Sequence, residues 1–273
     1  MKNQPRNAIG SLACAEGPVI NNKKLKSILI PNSVTSIDDS AFYKHHLTSV
    51  IIPNSVTSIG NSAFYNNQLI SIIIPDSVII INCLSFSSNK LNNVTIPASV
   101  ESMGDYAFAN NKLYSLILEE GIMRIGDCAF YSNYLTDVVI PKTVTSVGFG
   151  AFADNHLVSV TIPEGVTSIG KGAFYNNQLK CLVIPKNATS IRSLAFANNR
   201  LRNISIPESV INIGDQAFAD NKLSRVIVKN PKTVFGENVF ENASVDLTIY
   251  GYNPSTAMDY AKAAGYRFVE LQK

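Results

Sequence analysis

The feature that most constrains this chain is a 22-residue repeat that runs in register through most of its length. Alignment on LTSVIIPNSVTSIGNSAFYNNQ, residues 47–68, places ten segments one after another without a gap, from Leu25 to Ser244. The consensus is L-x-x-V-x-I-P-x-S-V-x-x-I-G-x-x-A-F-x-x-N-x. Its first position is Leu and its eighteenth is Phe in all ten segments. Because one such turn cannot bury its apolar face alone, the repeat predicts a solenoid of stacked coils.

The first half of each coil has the pattern of a β-strand. In the coil that begins at Leu47, Val50 and Ile52 alternate inward with a period of two residues. Pro53 lacks a backbone donor and therefore ends the strand. The first strands of successive coils are expected to form a parallel sheet.

The second half of each coil supplies further core side chains. Val56 and Ile59 form a second inward pair, which predicts a second short strand on the opposite flank. Gly60 is expected to permit a tight backbone turn. Ala63 and Phe64 are then expected to fill the core from a short helical turn, with Phe supplying much of the buried area.

Asn at repeat position 21 is predicted to form a structural ladder. An Asn amide both donates and accepts hydrogen bonds, so it can satisfy the backbone of coils above and below it. The alternative is that Asn is simply common in turns, but one position holds it in eight successive coils. The predicted ladder consists of Asn67, Asn89, Asn111, Asn133, Asn155, Asn177, Asn199 and Asn221.

The ends of the chain depart from the repeat and predict caps, which an open solenoid needs to cover its exposed core. Residues 1–24 are assigned as an N-terminal cap, residues 25–244 as ten repeats, and residues 245–273 as a strand–helix–strand C-terminal cap. Ser255 or Thr256 is expected to start the helix and Gly265 to stop it.

Composition and motifs exclude several classes of function. The net charge of +3, from 23 basic and 20 acidic residues, is too balanced to predict nucleic acid or an anionic membrane as a partner, and Lys and Arg are scattered along the chain. No secretion signal is evident at the start of the sequence, and no apolar run approaches the roughly 20 residues of a membrane helix. The repeated Gly follow the 22-residue period and therefore do not predict a phosphate-binding loop.

Candidate chemical groups lie too far apart or too exposed to predict a reaction or a metal site. His46 and His156 are five coils apart, or roughly 24 Å at the spacing of strands, so they cannot share a metal ion. Asp105 and Asp127 are neighbours on an exposed turn without a pocket, which argues against acid–base catalysis. The four cysteines, Cys14, Cys83, Cys128 and Cys181, have no metal-binding spacing and are expected to be free thiols.

The outward positions of the first strand are the predicted partner-binding surface. Position 3 is mostly polar and position 5 mostly aliphatic, which predicts an exposed apolar row along one sheet face. The alternative is β-propensity with no partner. A row of Tyr after the core Phe, which includes Tyr43 and Tyr65, suits either an interface or packing over the turn, and packing is favoured. The predicted contact residues are Ser49, Ile51, Ser71, Ile73, Thr95, Ile117, Val139, Thr161 and Val183.

The consensus resembles that of the BspA-like leucine-rich repeat family, and the ending IYGYNPSTAMDYAKAAGYRFVEL resembles the tail of such arrays. The resemblance implies a right-handed leucine-rich-repeat solenoid with its parallel sheet on the concave face. It also implies protein or surface binding, a bacterial surface or secreted location, and no shared catalytic residues.

Together these observations predict a non-catalytic binding module without a cofactor, which contacts a host or matrix protein or a glycan at the cell surface. The alternatives are a passive or self-associating scaffold, and a cytoplasmic location.

Overall fold

The computed structural model describes residues 8–9 and 26–272. It is a parallel-strand solenoid of about eleven turns of about 22 residues, as the repeat predicted, with little helix. Its contacts divide the chain into two compact units, residues 1–135 and 136–273. Apart from Ala8 and Ile9, the predicted N-terminal cap, residues 1–24, lies outside the described residues.

The first unit contains two sets of short parallel strands, one from each half of the coil. In the coil that begins at Leu69, the first half keeps the alternation of buried and exposed side chains without regular strand pairing. The first strands are Ser27–Leu29, Ser49–Ile51, Asn93–Ile96 and Ser115–Leu118. The second strands are Ala8–Ile9, Ser36–Ile37, Ser58–Ile59, Ile80–Ile81, Ser102–Met103 and Arg124–Ile125.

The second unit repeats this arrangement and adds the chain's C-terminal elements. Its first strands are Asp137–Val139, Ser159–Thr161, Asn203–Ile206 and Arg225–Val228, and the last of these is followed in the same parallel sheet by Thr248–Gly251 and Arg267–Glu270. Its second strands are Ser146–Val147, Ser168–Ile169, Ser190–Ile191, Asn212–Ile213 and Val234–Phe235.

One α-helix, Thr256–Ala264, packs on the last turns of the second unit. The Ser255 hydroxyl accepts a hydrogen bond from the Met258 N–H, and Gly265 ends the helix with a left-handed φ of 75°, as their residue types predicted. The Tyr260 ring stacks on Phe235 with centroids 4.7 Å apart. The helix thereby covers apolar side chains of the final coil.

The core of each unit is a continuous stack of aromatic and aliphatic side chains. The rings of Phe42 to Phe130 are stacked with centroids 5.1–5.8 Å apart, and those of Phe152 to Phe240 with centroids 5.4–5.9 Å apart. Leu at position 1 is buried beside them from Leu47 onward. Close packing of identical side chains therefore sets the register between coils.

The segment around the core Phe is not the short helical turn that the sequence predicted. In the coil that begins at Leu47, it consists of two successive turns closed by N–H bonds from Ala63 to the Gly60 carbonyl, 3.3 Å, and from Tyr65 to the Ser62 carbonyl, 3.1 Å. Ser62 and Asn66 have left-handed φ values of 55° and 54°.

Hydrogen bonding between coils explains this departure from a helix. The N–H of Ser62 donates to the Cys83 carbonyl and that of Phe64 to the Ser85 carbonyl, each at 2.8 Å in the next coil. An α-helix would direct these donors along its own axis. In the double turn, alternate backbone N–H groups instead donate to the next coil. This segment therefore forms a third ladder of hydrogen bonds between coils.

Gly at position 14 has a different role from the tight turn that was expected. A Cβ on Gly60 would lie 2.6 Å from the backbone of Asp38 and Asp39, and one on Gly126 would lie 2.6 Å from the carbonyl carbon of Gly104. These contacts are closer than any side chain tolerates without movement. Gly is therefore favoured here because adjacent coils approach closely.

The Asn side chains at position 21 tie the corner of each coil to backbone groups. The Asn67 amide donates to the carbonyls of Phe42, 2.8 Å, and Phe64, 3.0 Å, and its oxygen accepts the Leu47 N–H at 2.9 Å. The amides bond to the backbone of two successive coils. The equivalent three contacts are formed by Asn89, Asn111, Asn133, Asn177, Asn199 and Asn221.

Replacement of one such Asn should destabilise the fold strongly. Asn67→Ala removes three hydrogen bonds and leaves buried backbone groups without partners, each of which costs about 1–3 kcal/mol. We expect a loss of about 3 kcal/mol in the free energy of unfolding, measured by urea denaturation followed by far-ultraviolet circular dichroism.

Asn54→Ala is the matched control in the same coil. Asn54 is exposed, and Ala98 already occupies its repeat position two coils later. This control should change stability by less than about 0.5 kcal/mol. Equal effects of the two substitutions would show that the buried amide does not stabilise the corner.

Candidate functional site

The candidate site is the sheet face, which we define as the outward side chains at positions 3 and 5 of the first strands. In Asn93–Ile96, Asn93 and Thr95 are exposed whereas Val94 and Ile96 are buried. The strand alternation therefore commits two side chains in each coil to solvent.

In the first unit this face carries a row of exposed aliphatic side chains. Leu29, Ile51, Ile73 and Ile117 are 55–84% exposed, and Thr95 occupies the remaining place in the row. Leu29 pairs with Ile51, and Thr95 with Ile117, so neighbours in the row are about 4.8 Å apart. A contiguous apolar row in water is typical of an interaction surface.

In the second unit the same face is more polar. Val139 and Val183 are 69% and 79% exposed, but Thr161 and Ser205 hold the alternate places. Ile227, the last residue of the row, is half-buried beside Tyr250.

All nine predicted contact residues are exposed, and each unit brings its own members into adjacent strands or segments. The first unit holds Ser49, Ile51, Ser71, Ile73, Thr95 and Ile117, and the second holds Val139, Thr161 and Val183. That they contact a partner stays a prediction.

A basic surface beside the sheet face of the second unit was missed by the sequence reasoning, which treated Lys and Arg as scattered. Repeat positions 22 and 2 flank the buried Leu at position 1. In three successive coils, five of the residues at these positions and at the adjoining position 3 are basic and exposed. The set, here called the basic corner, consists of Lys180, Arg200, Arg202, Lys222 and Arg225.

Arg225 is held in place within this corner. Its guanidinium lies 4.2 Å from the centroid of the Tyr250 ring, a cation–π contact. Writing the sequence in rows of 22 would have aligned these basic residues, because their spacing is that of the repeat.

The histidines and acidic residues take part in local contacts. His45 Nδ1 donates to the Tyr43 carbonyl at 2.9 Å, and the Asp105 carboxylate accepts the Asp127 N–H at 2.8 Å. Asp105 therefore ties one coil to the next. Within residues 26–272, no group of three or more His, Cys, Asp or Glu side chains is arranged to hold a metal ion.

The described cysteines are unpaired thiols in three different environments. Cys181 is exposed, Cys83 is half-buried and Cys128 is buried. Burial raises the pKa of the Cys128 thiol, and a hydrogen bond with Cys128 raises the pKa of Tyr106 to about 12. Since the thiolate is the nucleophile, these shifts disfavour reactivity at Cys128. Cys14 lies outside the described residues.

The Tyr row packs against itself where two members are adjacent. The rings of Tyr43 and Tyr65 stack with centroids 5.3 Å apart, and the Lys44 ammonium lies 5.0 Å from the Tyr43 centroid. These contacts support the interpretation of the row as packing over the turn segment.

No helix in the described part of the chain is both long and apolar enough to cross a membrane.

Comparisons with known proteins agree with this architecture. The model of the BspA type leucine-rich repeat region matches residues 19–136 and 123–246, with six copies. A leucine-rich repeat protein from Bacteroides ovatus is similar in structure, with a TM-score of 0.63 and 22% identity over 92% of this chain and 68% of that one. The pneumococcal vaccine antigen PcpA has a TM-score of 0.55 and 18% identity over 91% of this chain and 80% of that one.

A search of curated protein sequences found no significant match. The structural similarities show a shared fold, and the family model spans most of the chain. The protein therefore belongs to the BspA-type leucine-rich repeat family.

Proposed function

We propose that this protein is a non-catalytic binding module that contacts a protein partner through the sheet face of its first unit. Proteins with this type of repeat generally serve as protein-interaction or surface-binding scaffolds. The observation that carries the proposal is the row of Leu29, Ile51, Ile73 and Ile117, which the core does not need and which faces water.

The energetics of this row favour a protein partner. Full burial of an aliphatic side chain stabilises an interface by about 1.5–3 kcal/mol, so four partly exposed ones supply about 6 kcal/mol. Association alone costs about 4–15 kcal/mol. Additional contacts from the neighbouring Ser row, at position 3, are therefore needed for stable binding.

Two exposed Tyr at the edge of the same face can supply some of this additional binding energy. Tyr114 and Tyr134 are 57% and 51% exposed; Tyr114 immediately precedes the strand Ser115–Leu118, and the Tyr134 N–H donates to the Leu113 carbonyl at 2.8 Å. Tyr is enriched at the energetic centres of protein interfaces because one ring buries a large area at low entropic cost.

We further propose that the partner is a component of a host or its matrix and that the module acts at the cell surface. Proteins of this family are often located at the surface. The similar fold of a pneumococcal vaccine antigen supports the same location. The apolar character of the first unit's face favours a protein over a glycan as the occupant.

Charges placed in the aliphatic row should abolish partner binding. The triple variant I51K/I73K/I117K would force three ammonium groups into the interface, where their desolvation is unfavourable. Against purified matrix proteins immobilised one at a time, we expect at least a hundredfold loss of affinity for any that binds the unaltered protein, equivalent to about 2.7 kcal/mol. Surface plasmon resonance measures this.

The matched control is I79K/I80K/M123K, which adds the same charges at exposed apolar positions of the same unit away from the sheet face. This variant should bind like the unaltered protein. Retained binding by the sheet-face variant, with both variants folded by circular dichroism, would place the site elsewhere.

The same row could instead bind a second copy of the chain, which is the self-associating scaffold considered above. Multi-angle light scattering from 1 μM to about 100 μM, a range that spans weak dimerisation, separates the two. We expect a monomer throughout, since the row is available to a different partner. A dimer that I51K/I73K/I117K dissociates would favour self-association over the proposed function.

A further inference from the structure

We propose that the basic corner of the second unit is a separate binding site for an anionic glycan, a polysaccharide carrying sulfate or carboxylate groups. It is formed by Lys180, Arg200, Arg202, Lys222 and Arg225. The inference does not depend on the proposed function, because it concerns other residues in the other unit.

Stacking of three coils brings these charges together. Arg200 donates its backbone N–H to the Leu179 carbonyl and Lys222 to the Leu201 carbonyl, both at 3.0 Å. Both leucines are fully buried, whereas Lys180, Arg200 and Arg202 beside them are exposed. Coils hydrogen-bonded in this way place equivalent positions about 4.8 Å apart.

The second column of charge is tied together in the same way. The Arg202 carbonyl accepts the N–H of Ser224 at 2.9 Å and that of Arg225 at 3.4 Å. Arg202 therefore immediately precedes the strand Asn203–Ile206, and Arg225 begins the strand Arg225–Val228 beside it. Five cations thus fall within three turns of the solenoid, in two columns separated by the buried leucines.

These charges are not neutralised within the described part of the chain. None of the five side chains forms an ion pair or a side-chain hydrogen bond there, and the Arg225 guanidinium lies against the face of the Tyr250 ring. The Asp220 carboxylate, two residues from Lys222, accepts a hydrogen bond from the Asn242 amide at 2.8 Å and forms no ion pair with the basic corner. The mutual repulsion of clustered like charges disfavours folding.

The fold does not require basic residues at these positions. Gln68 and Gln178 occupy position 22, and Thr48 and Asn92 occupy position 2, in other coils with the same buried leucines. The cluster therefore has no evident structural purpose, and an external anion would relieve its repulsion.

The surroundings favour a glycan over other polyanions. Arg binds sulfate and carboxylate groups through two parallel hydrogen bonds. The exposed side chains of Asn203 and Ser205, which follow Arg202 in the chain, offer amide and hydroxyl groups that match sugar hydroxyls. Single-stranded nucleic acid prefers exposed aromatic rings for base stacking, and here the Tyr250 ring is already covered by Arg225.

The test uses heparin as the sulfated probe and the full chain as the protein. We expect the protein to bind heparin at 50 mM NaCl. Its affinity for heparin should fall steeply as the salt concentration rises, since ionic contacts are screened. The variant R200Q/R202N/K222Q, which copies residues found at these positions in other coils, should bind at least about tenfold more weakly. The slope of log affinity against log salt concentration should be smaller in magnitude by roughly two to three for this variant, about one for each lost ionic contact.

The control variant K142N/K171N/K186N removes the same charge from exposed positions of the same unit outside the corner. It should bind heparin within about twofold of the unaltered protein, as remote charges are largely screened beyond about 10 Å. Isothermal titration calorimetry gives both affinities, and circular dichroism verifies that each variant is folded.

Four results would overturn the proposal. They are no heparin binding at low salt, equal weakening by the two triple variants, polyglutamate binding as tight as heparin, or oligothymidylate binding as tight as heparin. The first two would remove the site, and the last two would replace the glycan with an acidic polypeptide or a nucleic acid.

Discussion

Hydrogen bonding between equivalent backbone segments of successive coils is the constraint on which the rest of this structure depends. Three segments follow it: the first strand in most coils, the second strand, and the double turn that contains the core Phe. The coil spacing that these bonds impose brings the Phe rings into stacks and makes Gly126 sit directly against the backbone of Gly104. The Asn67 amide closes the remaining corner by bonding carbonyls of two successive coils. A residue that recurs every 22 positions is therefore first explained by stacking.

Those parts of the fold that depend on side-chain periodicity could be predicted from the sequence. Alternation around Val50 and Ile52 identifies the first strand, and the pair Val56 and Ile59 identifies the second, because burial needs only a local pattern. The double turn could not be predicted in this way. Its geometry depends on left-handed φ values at position 16, where only Gly150 and Gly172 among the described coils are glycine. Elsewhere bonds to the next coil hold residues such as Ser62 in that conformation.

The candidate site likewise has one part that a local sequence pattern predicts and one part that depends on the stacking of coils. The outward direction of Ile51 and Ile73 follows from strand alternation, so the exposed row was predictable from a single coil. The basic corner was not, because Lys180, Arg202 and Arg225 are 22 or 23 residues apart and become neighbours only when the coils stack. A net charge of +3 conceals such a cluster, since acidic residues elsewhere cancel it in the sum. The role of Ser at position 9 also becomes visible only when the coils stack. The Ser55 hydroxyl donates a hydrogen bond to the Val34 carbonyl of the preceding coil at 2.6 Å.

The contrast between the two units bears on how such a scaffold acquires function. Both have the same buried Leu and Phe and the same backbone ladders, so the fold places equal demands on the two sheet faces. Yet the face of the first unit is aliphatic, and that of the second is polar beside a basic corner. Exposed substitutions outside the ladders change stability by only about 0.5 kcal/mol. These positions can therefore vary with little loss of stability, and we infer that the difference between the two faces reflects what each one binds.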